Sequence, residues 1–269
     1  MEISAPAHWH TVDFLSDLHL DRSGSPTLAG FAQYLHHSPA QAIFILGDLF
    51  EAWVGDDALG LHDGVEHAVA ALLHQTAQRT EIFIMCGNRD FLMGSSLMKA
   101  CGAQALPDPS VLQFANQRYL LTHGDALCLG DTDYLAFRAL SRSDAWQQDF
   151  LSKPLAARQA LGQHMRAQSK AHQAALRQRG GVTWHDLDAP ACLQSLEVAK
   201  ANTMIHGHTH HPDTHPLAAG KTRWVLSDWD FECSPPRGDL LRLTCPANAA
   251  QGQAQGPVLQ RLRAPQFSA

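Results

Sequence analysis

The chain lacks three things: an apolar run near the roughly 18 residues of a membrane span, a cysteine pair at C-x-x-C spacing, and any excess of positive charge. Its 20 Lys and Arg stand against 26 Asp and Glu, a formal −6. The first absence excludes a helical membrane span. The second removes a thiolate zinc or dithiol redox site, so Cys86, Cys101, Cys128, Cys192, Cys233 and Cys245 are expected to be buried, reduced thiols. The third removes the basic stripe of a general nucleic-acid binder. The opening Met1-Glu2-Ile3-Ser4-Ala5-Pro6 has neither the basic end nor the apolar centre of a secretory signal, and the expected compartment is the cytoplasm.

What is present is a globular composition, 45% apolar over 269 residues, and five short blocks in a fixed order. They are Asp17-Leu18-His19, Gly47-Asp48, Gly87-Asn88-Arg89-Asp90, His123-Gly124-Asp125 and Gly207-His208-Thr209-His210. The first four follow apolar, β-forming stretches at Val12 to Leu15, Ala42 to Leu46, Ile82 to Met85 and Tyr119 to Thr122. Thr203 to Ile205 is a shorter candidate strand before the fifth. Each block alone is weak, since Asp-x-His suits a surface turn and Gly-Asp an ordinary loop. As an ordered set at strand ends they predict one two-metal site.

Hard oxygens mixed with imidazole nitrogens suit Mn²⁺, Fe²⁺ or Zn²⁺. Two such cations repel at about 3.5 to 4 Å, so a carboxylate is expected between them, and Asp48 is the bridging candidate. Asp17, His19, Asp48 and His210 are assigned to one metal, and Asp48, Asn88, His123 and His208 to the other. Solvent held by both ions is the expected nucleophile. His206 and His211, beside the last block, are read as packed or solvated histidines.

Leu28 to His37 and Val65 to Gln78 have apolar residues at helical spacing and separate the first three strands. From Tyr134 to about Arg179, alanine, leucine, glutamine and arginine favour helix. Strands return at Arg223 to Leu226 and Asp239 to Leu243. The expected fold is α/β, a β-sandwich flanked by helices with an inserted helical cap. Residues 9–131 and 200–245 would form the core, 132–199 the cap and lipid-binding region, and 246–269 an irregular tail.

At these blocks the chain resembles the calcineurin-like metallophosphoesterase superfamily, with Arg89 where most members carry histidine. A fixed charge with forked donors suits a phosphate leaving group, which needs charge stabilisation more than a proton. The competing reading is that Arg89 only pairs with a nearby carboxylate. Gly87 to Gly94, His123 to Cys128, Asp133-Tyr134 with Ala136-Phe137-Arg138, and Met165 to Lys170 are similar to the family of UDP-2,3-diacylglucosamine pyrophosphohydrolases of lipid A biosynthesis. That resemblance implies attack at the α-phosphorus, giving 2,3-diacylglucosamine 1-phosphate and UMP, with two Mn²⁺. It also implies a lipid-linked UDP-sugar met peripherally at the cytoplasmic face of the inner membrane. Asn88, Arg89, Asp131, Ser169 and His208 would contact substrate, and Asp48, Asn88, Arg89 and His208 would carry catalysis.

The likeness departs in the cap, where Gln173 and Leu176, with Arg177 beside it, replace the family's asparagine and lysine. Gln173 and Arg177 are retained as substrate-contact candidates. His185-Asp186-Leu187-Asp188 replaces an Ile-Met-Asp-Val segment after an insertion around Gly180-Gly181. Between Phe150 and His185 lie six of the basic residues, Lys153, Arg158, Arg166, Lys170, Arg177 and Arg179, and none of the acidic ones. This polarity is expected to guide the cap toward a diphosphate or an acidic bilayer. Phe150, Leu151, Leu155, Leu161 and Met165 would face acyl chains or, alternatively, pack the cap on the core; Trp146 and Trp184 are equally open. A soluble nucleotide or dinucleotide polyphosphate hydrolase is the alternative enzyme, and a metal-free interaction scaffold the alternative class. The sequence indicates no nucleic-acid or protein partner.

Overall fold

A computed structural model describes residues 1–178, 185–245 and 256–263. Two six-stranded sheets face each other. One runs β1 (Glu2–Ser4), β6 (Ser110–Phe114), β7 (Gln117–Thr122), β8 (Thr203–His206), β10 (Thr222–Val225), β9 (Thr214–Pro216). The other runs β12 (Val258–Arg263), β11 (Asp239–Thr244), β2 (Thr11–Leu15), β3 (Ala42–Leu46), β4 (Glu81–Met85), β5 (Gln104–Leu106). Strands β2, β3 and β4 are mutually parallel, as are β7 and β8, so within each group the C-terminal ends open at the same edge.

The period-2 alternation of β3 explains the layering. Ala42, Phe44 and Leu46 enter the core between the sheets with Phe14, Phe83, Leu121 and Leu241, where Phe44 and Phe83 stack at 4.6 Å. Ile43 and Ile45 face the opposite way, onto α1 (Pro26–His37), α2 (Val65–Ala77) and α3 (Ser95–Cys101). Both faces of the strand are buried, which is why it reads as a continuous apolar run. Helix α1 begins where sequence dictates: Ser25 Oγ accepts the Leu28 N–H at 3.2 Å and Pro26 occupies the first turn.

Helices α4 (Thr132–Ser141), α5 (Asp144–Leu151) and α6 (Leu155–Gln178) lie between β7 and β8 in the chain. Asp131 and Ser143 cap the first two through the Tyr134 and Trp146 N–H groups. The fold is thus an α/β sandwich with helices inserted between the fourth and fifth motif strands. Two expectations are corrected. Helix α7 (Ala189–Val198), placed in the cap by sequence, buries Cys192 and Leu196 against Leu120 and Met204 of the first sheet. The tail is not wholly irregular, because Val258–Arg263 forms an edge strand antiparallel to β11, with Arg261 donating to Asp239 Oδ2 at 2.8 Å. All six cysteines are free thiols, and among the described residues no helix is long and apolar enough to cross a membrane. Cys86, Cys233 and Cys245 are only partly buried, contrary to expectation.

Candidate metal centre

Each motif block occupies the loop leaving a parallel strand: Asp17 and His19 after β2, Asp48 after β3, Asn88 after β4, His123 after β7, His208 and His210 after β8. Backbone bonds lace the loops together, Asp17 N to Gly47 O at 3.1 Å, His19 N to Asp48 O at 3.0 Å and Gly207 N to His123 O at 3.1 Å. Five of the seven candidate ligands, Asp17, His19, Asp48, His208 and His210, have φ between 49° and 68°. Left-handed non-glycine residues carry local strain that the surrounding structure must hold. Here that strain is concentrated on the residues expected to bind metal. Gly47 has φ +93°, and a Cβ there would lie 2.4 Å from His123 Nδ1, so glycine is required before Asp48. At Gly87 the reason is proximity: a Cβ would lie 2.1 Å from Asp48 Oδ1.

The donor atoms form two clusters. In the first, His210 Nε2 lies 3.1 Å from Asp17 Oδ1 and 3.2 Å from His19 Nε2, while His19 Nε2 is 3.8 Å from Asp17 Oδ1. In the second, Asn88 Oδ1 lies 3.0 Å from His123 Nε2 and 2.9 Å from His208 Nδ1. Asp48 stands between them, with Oδ1 3.8 Å from His123 Nε2 and Oδ2 4.0 Å from His19 Nδ1. Adjacent ligands of an octahedral cation at about 2.1 Å are about 3.0 Å apart and opposite ones about 4.2 Å, so the spacings of 2.9 to 3.2 Å fit shell edges and those of 3.8 to 4.0 Å fall between edge and diameter. The residues fit a pair of divalent cations: two imidazole nitrogens and a carboxylate oxygen converge on one point without enough protons to join them all. Asp17, Asp48 and His123 are themselves close enough to share an ion, as are Asp17, His19 and His210.

The orientation of the donors is fixed from behind. His123 Nδ1 donates to the Leu46 carbonyl at 2.9 Å, leaving Nε2 to the centre. Asp17 Oδ2 accepts from Ser16 Oγ at 2.6 Å and from the His208 N–H at 2.9 Å, leaving Oδ1 for the cluster. Buried Asp90 joins two loops, Oδ1 accepting the Gly87 N–H and Oδ2 the Leu49 N–H, each at 2.7 Å. Burial raises Asp48 to about 7 against the opposing charge of His123. Burial by itself would depress His123, but the carboxylates of Asp48, Asp17 and Asp125 outweigh it and push His123 up to about 9. Burial, reinforced by the neighbouring His123 charge, takes His208 down to about 3. Protons therefore partly stand in for cations, and loading metal must expel them.

The centre forms the floor of a cavity of about 1050 Å³. Asn88, Arg89, Asp131, Ser169 and His208 all line it, so five sequence-named substrate residues come together. The side chains of Gln173 and Arg177 lie outside the described residues, as do Lys170, Arg179, Gly180, Gly181 and Trp184. Asp131 also caps α4, its Oδ1 accepting the Tyr134 N–H at 3.0 Å. Phe91, Phe137, Trp146, Phe150 and Met165 give the cavity an apolar wall. Trp146 stacks on Phe150 at 4.9 Å, and both residues pack on the core as well as line the cavity. Leu151 and Leu161 remain exposed, and Leu155 is half-buried.

The basic face read from sequence is corrected in part. Arg158 is 3% exposed and bound to Asp57, Arg166 is bound to Glu51, and Lys153 to Asp149, so these charges are matched by carboxylates. His206 is buried with Nδ1 2.8 Å from the Gly207 carbonyl, and His211 lines the cavity; neither enters the two donor clusters. Sequence reasoning passed over Asp125, which receives Tyr134 Oη and Arg138 Nε and docks α4 on the core. It also passed over Glu51, whose only signal was its place three residues after Asp48.

The family profile of calcineurin-like phosphoesterases matches residues 10–212. The chain belongs to the calcineurin-like phosphoesterases. Within them it is similar to the UDP-2,3-diacylglucosamine hydrolase of Ralstonia nicotianae, 43% identical over 86% of this chain and 88% of that one. It is equally similar to the enzyme of that name from Xanthomonas campestris pv. campestris, 43% identical over 87% of this chain and 95% of that one. A solved dimetal phosphatase from Danio rerio is 14% identical with a TM-score of 0.46, covering 87% of this chain and 92% of that one.

Proposed function

We propose that this enzyme hydrolyses the pyrophosphate of UDP-2,3-diacylglucosamine at the α-phosphorus, giving UMP and 2,3-diacylglucosamine 1-phosphate. The observation that carries the reading is the joining of two hard-donor clusters to an apolar, aromatic-walled cavity. A water-soluble nucleotide needs the floor but not the wall. Named relatives at 43% identity over most of both chains support the same substrate.

Two divalent cations, Mn²⁺ in this reading, supply Lewis-acid polarisation of the phosphoryl oxygens and lower the pKa of solvent when bound. Asp17, His19, Asp48 and His210 would hold one, and Asp48, Asn88, His123 and His208 the other, with Asp48 shared. The chain's own groups do the rest. Arg89 presents a permanent charge, and its Nε is buried without a hydrogen-bond partner, 3.7 Å from Asp48 Oδ2. The guanidinium's other donors, at the cavity, would meet a phosphoryl oxygen as charge develops there. His208 and Asn88 fix the geometry of the same corner. Phe150, Trp146 and Met165 exclude water from the acyl chains, and Asp131 and Ser169 contact the rest of the substrate. Exposed Leu140, Leu151 and Leu161, at 57%, 42% and 40%, suit peripheral contact with the inner membrane's cytoplasmic face.

The deciding assay offers UDP-2,3-diacylglucosamine and soluble nucleotides side by side, with Mn²⁺ in oxygen-18 water. The reading expects turnover of the lipid substrate and label in UMP. Label in the lipid phosphate, or preference for soluble nucleotides, would overturn it.

A further inference from the structure

Glu51 lies between the metal centre and helix α6 and divides its two oxygens between them. Oε1 accepts from Arg166 Nε at 3.0 Å and Nη2 at 2.6 Å. Oε2 accepts from Arg89 Nη1 at 3.2 Å and lies 3.4 Å from His19 Nδ1. The side chains of Arg89, Glu51 and Arg166 are 19%, 24% and 22% exposed, so the cluster is part-buried, and both arginines line the cavity. Two guanidiniums this near each other repel unless an anion lies between them, and a single carboxylate can serve both because each keeps further N–H donors. Those remaining donors are the ones left for an anionic substrate.

We propose that Glu51 is the positioning residue of this active site: it aims Arg89 and Arg166 together at the diphosphate and so couples the inserted helices to the metal floor. The inference rests on the phosphohydrolase reading above and names a device within it. Arg158 makes the contrasting attachment. It lies eight residues earlier, about 12 Å along the helix axis, and is buried against Asp57, the Val54 carbonyl and the Lys153 carbonyl. That pair anchors α6, whereas the Glu51 cluster faces the cavity and meets the substrate's charge.

A double-mutant cycle tests the claim. Glu51→Gln, nearly isosteric, should lower kcat/KM on UDP-2,3-diacylglucosamine by about 10- to 100-fold, the range for residues that orient functional groups. The loss should divide between kcat, through Arg89, and KM, through Arg166, when read at saturating Mn²⁺, since Glu51 Oε2 also lies 3.4 Å from Nδ1 of the ligand candidate His19. In a background carrying Arg89→Ala and Arg166→Ala, the same substitution should cost less than about threefold, because nothing is left to position. An equal loss in both backgrounds would make Glu51 a general support, and no loss in the wild-type background would remove any role; either overturns the proposal. Glu51→Asp, which keeps the charge but withdraws it by one methylene, provides a second cycle if the glutamine variant does not fold. Hydrogen exchange on the metal-free protein gives a readout independent of activity: residues 159–169 should exchange faster in Glu51→Gln while 132–141 stay unchanged. Unaltered exchange in 159–169 would count against the coupling. Should the wild-type protein not turn over the lipid substrate at all, the functional reading fails, and the exchange result still judges Glu51.

Discussion

Helix α2 buries Val65, Val69, Ala70, Leu73 and Thr76 against the second sheet, whereas α4 buries only Ser141 and α5 only Phe150. The loops that carry the candidate ligands resemble α2 in being fixed from every side: Asp17, Asp90 and His123 are fully buried, and strained φ angles are held by bonds between loops. The inserted helices are instead attached by a few charged pairs, Arg138 to Asp125, Arg158 to Asp57 and Arg166 to Glu51. The two regions divide the labour. Chemistry that needs donors placed within tenths of an ångström is built on strand ends, and the part that must accommodate a bulky apolar group is built from elements with little core of their own.

The comparison breaks most visibly at Asp48. Asp48→Ala should lower kcat by about 10³-fold or more while the protein stays folded, because the carboxylate meets both donor clusters but little of the apolar core. Near-normal turnover in that variant would detach the chemistry from the floor. Trp146→Ala sharpens the other side. It should raise KM for the diacyl substrate by about tenfold and leave hydrolysis of a small phosphodiester within about twofold, since its ring meets Phe91, Phe137 and Phe150 rather than the candidate ligands. Equal losses on both substrates would show that wall and floor are one unit.

The least drastic perturbation is pH. Asp48 at about 7 and His123 at about 9 hold protons more firmly than ordinary carboxylate and imidazole groups, and both must release them to bind metal. Apparent metal affinity should therefore fall about tenfold per unit as pH drops below about 9, and at least about a hundredfold per unit below about 7, where Asp48 is protonated too and His210, whose burial is outweighed by the Asp17 carboxylate so that it is raised as well, adds a further proton. Titration calorimetry in buffers of different ionisation enthalpy should record proton release on binding. A pH-independent affinity would show that these groups are not ligands.

The metal floor was legible because each of its parts is local: a β-rich run, a glycine and a ligand within a few residues. β3 and β4 were equally plain, since burial on both faces leaves a continuous apolar signature. The four edge strands β1, β5, β9 and β12 were not read, lying at sheet margins where partners supply what the sequence does not advertise, and β6, inside the first sheet, was missed as well. α3 was missed for a similar reason, seven residues whose first turn is held by Asp56 from another loop, which accepts the Ser96 N–H at 2.9 Å. Glu51 was passed over and Arg158 misjudged because a charge has no meaning until its long-range partner is known; Arg158 looked like surface and is buried. The left-handed backbone at His19 and Asp48 also leaves no mark in composition.

The account depends on seven side chains holding two cations, and anomalous diffraction from crystals equilibrated with Mn²⁺ tests it most directly. Two peaks about 3.5 to 4 Å apart are expected, flanking the Asp48 carboxylate, one against Asp17, His19 and His210 and the other against Asn88, His123 and His208. A single peak, or peaks away from these residues at saturating Mn²⁺, would contradict it.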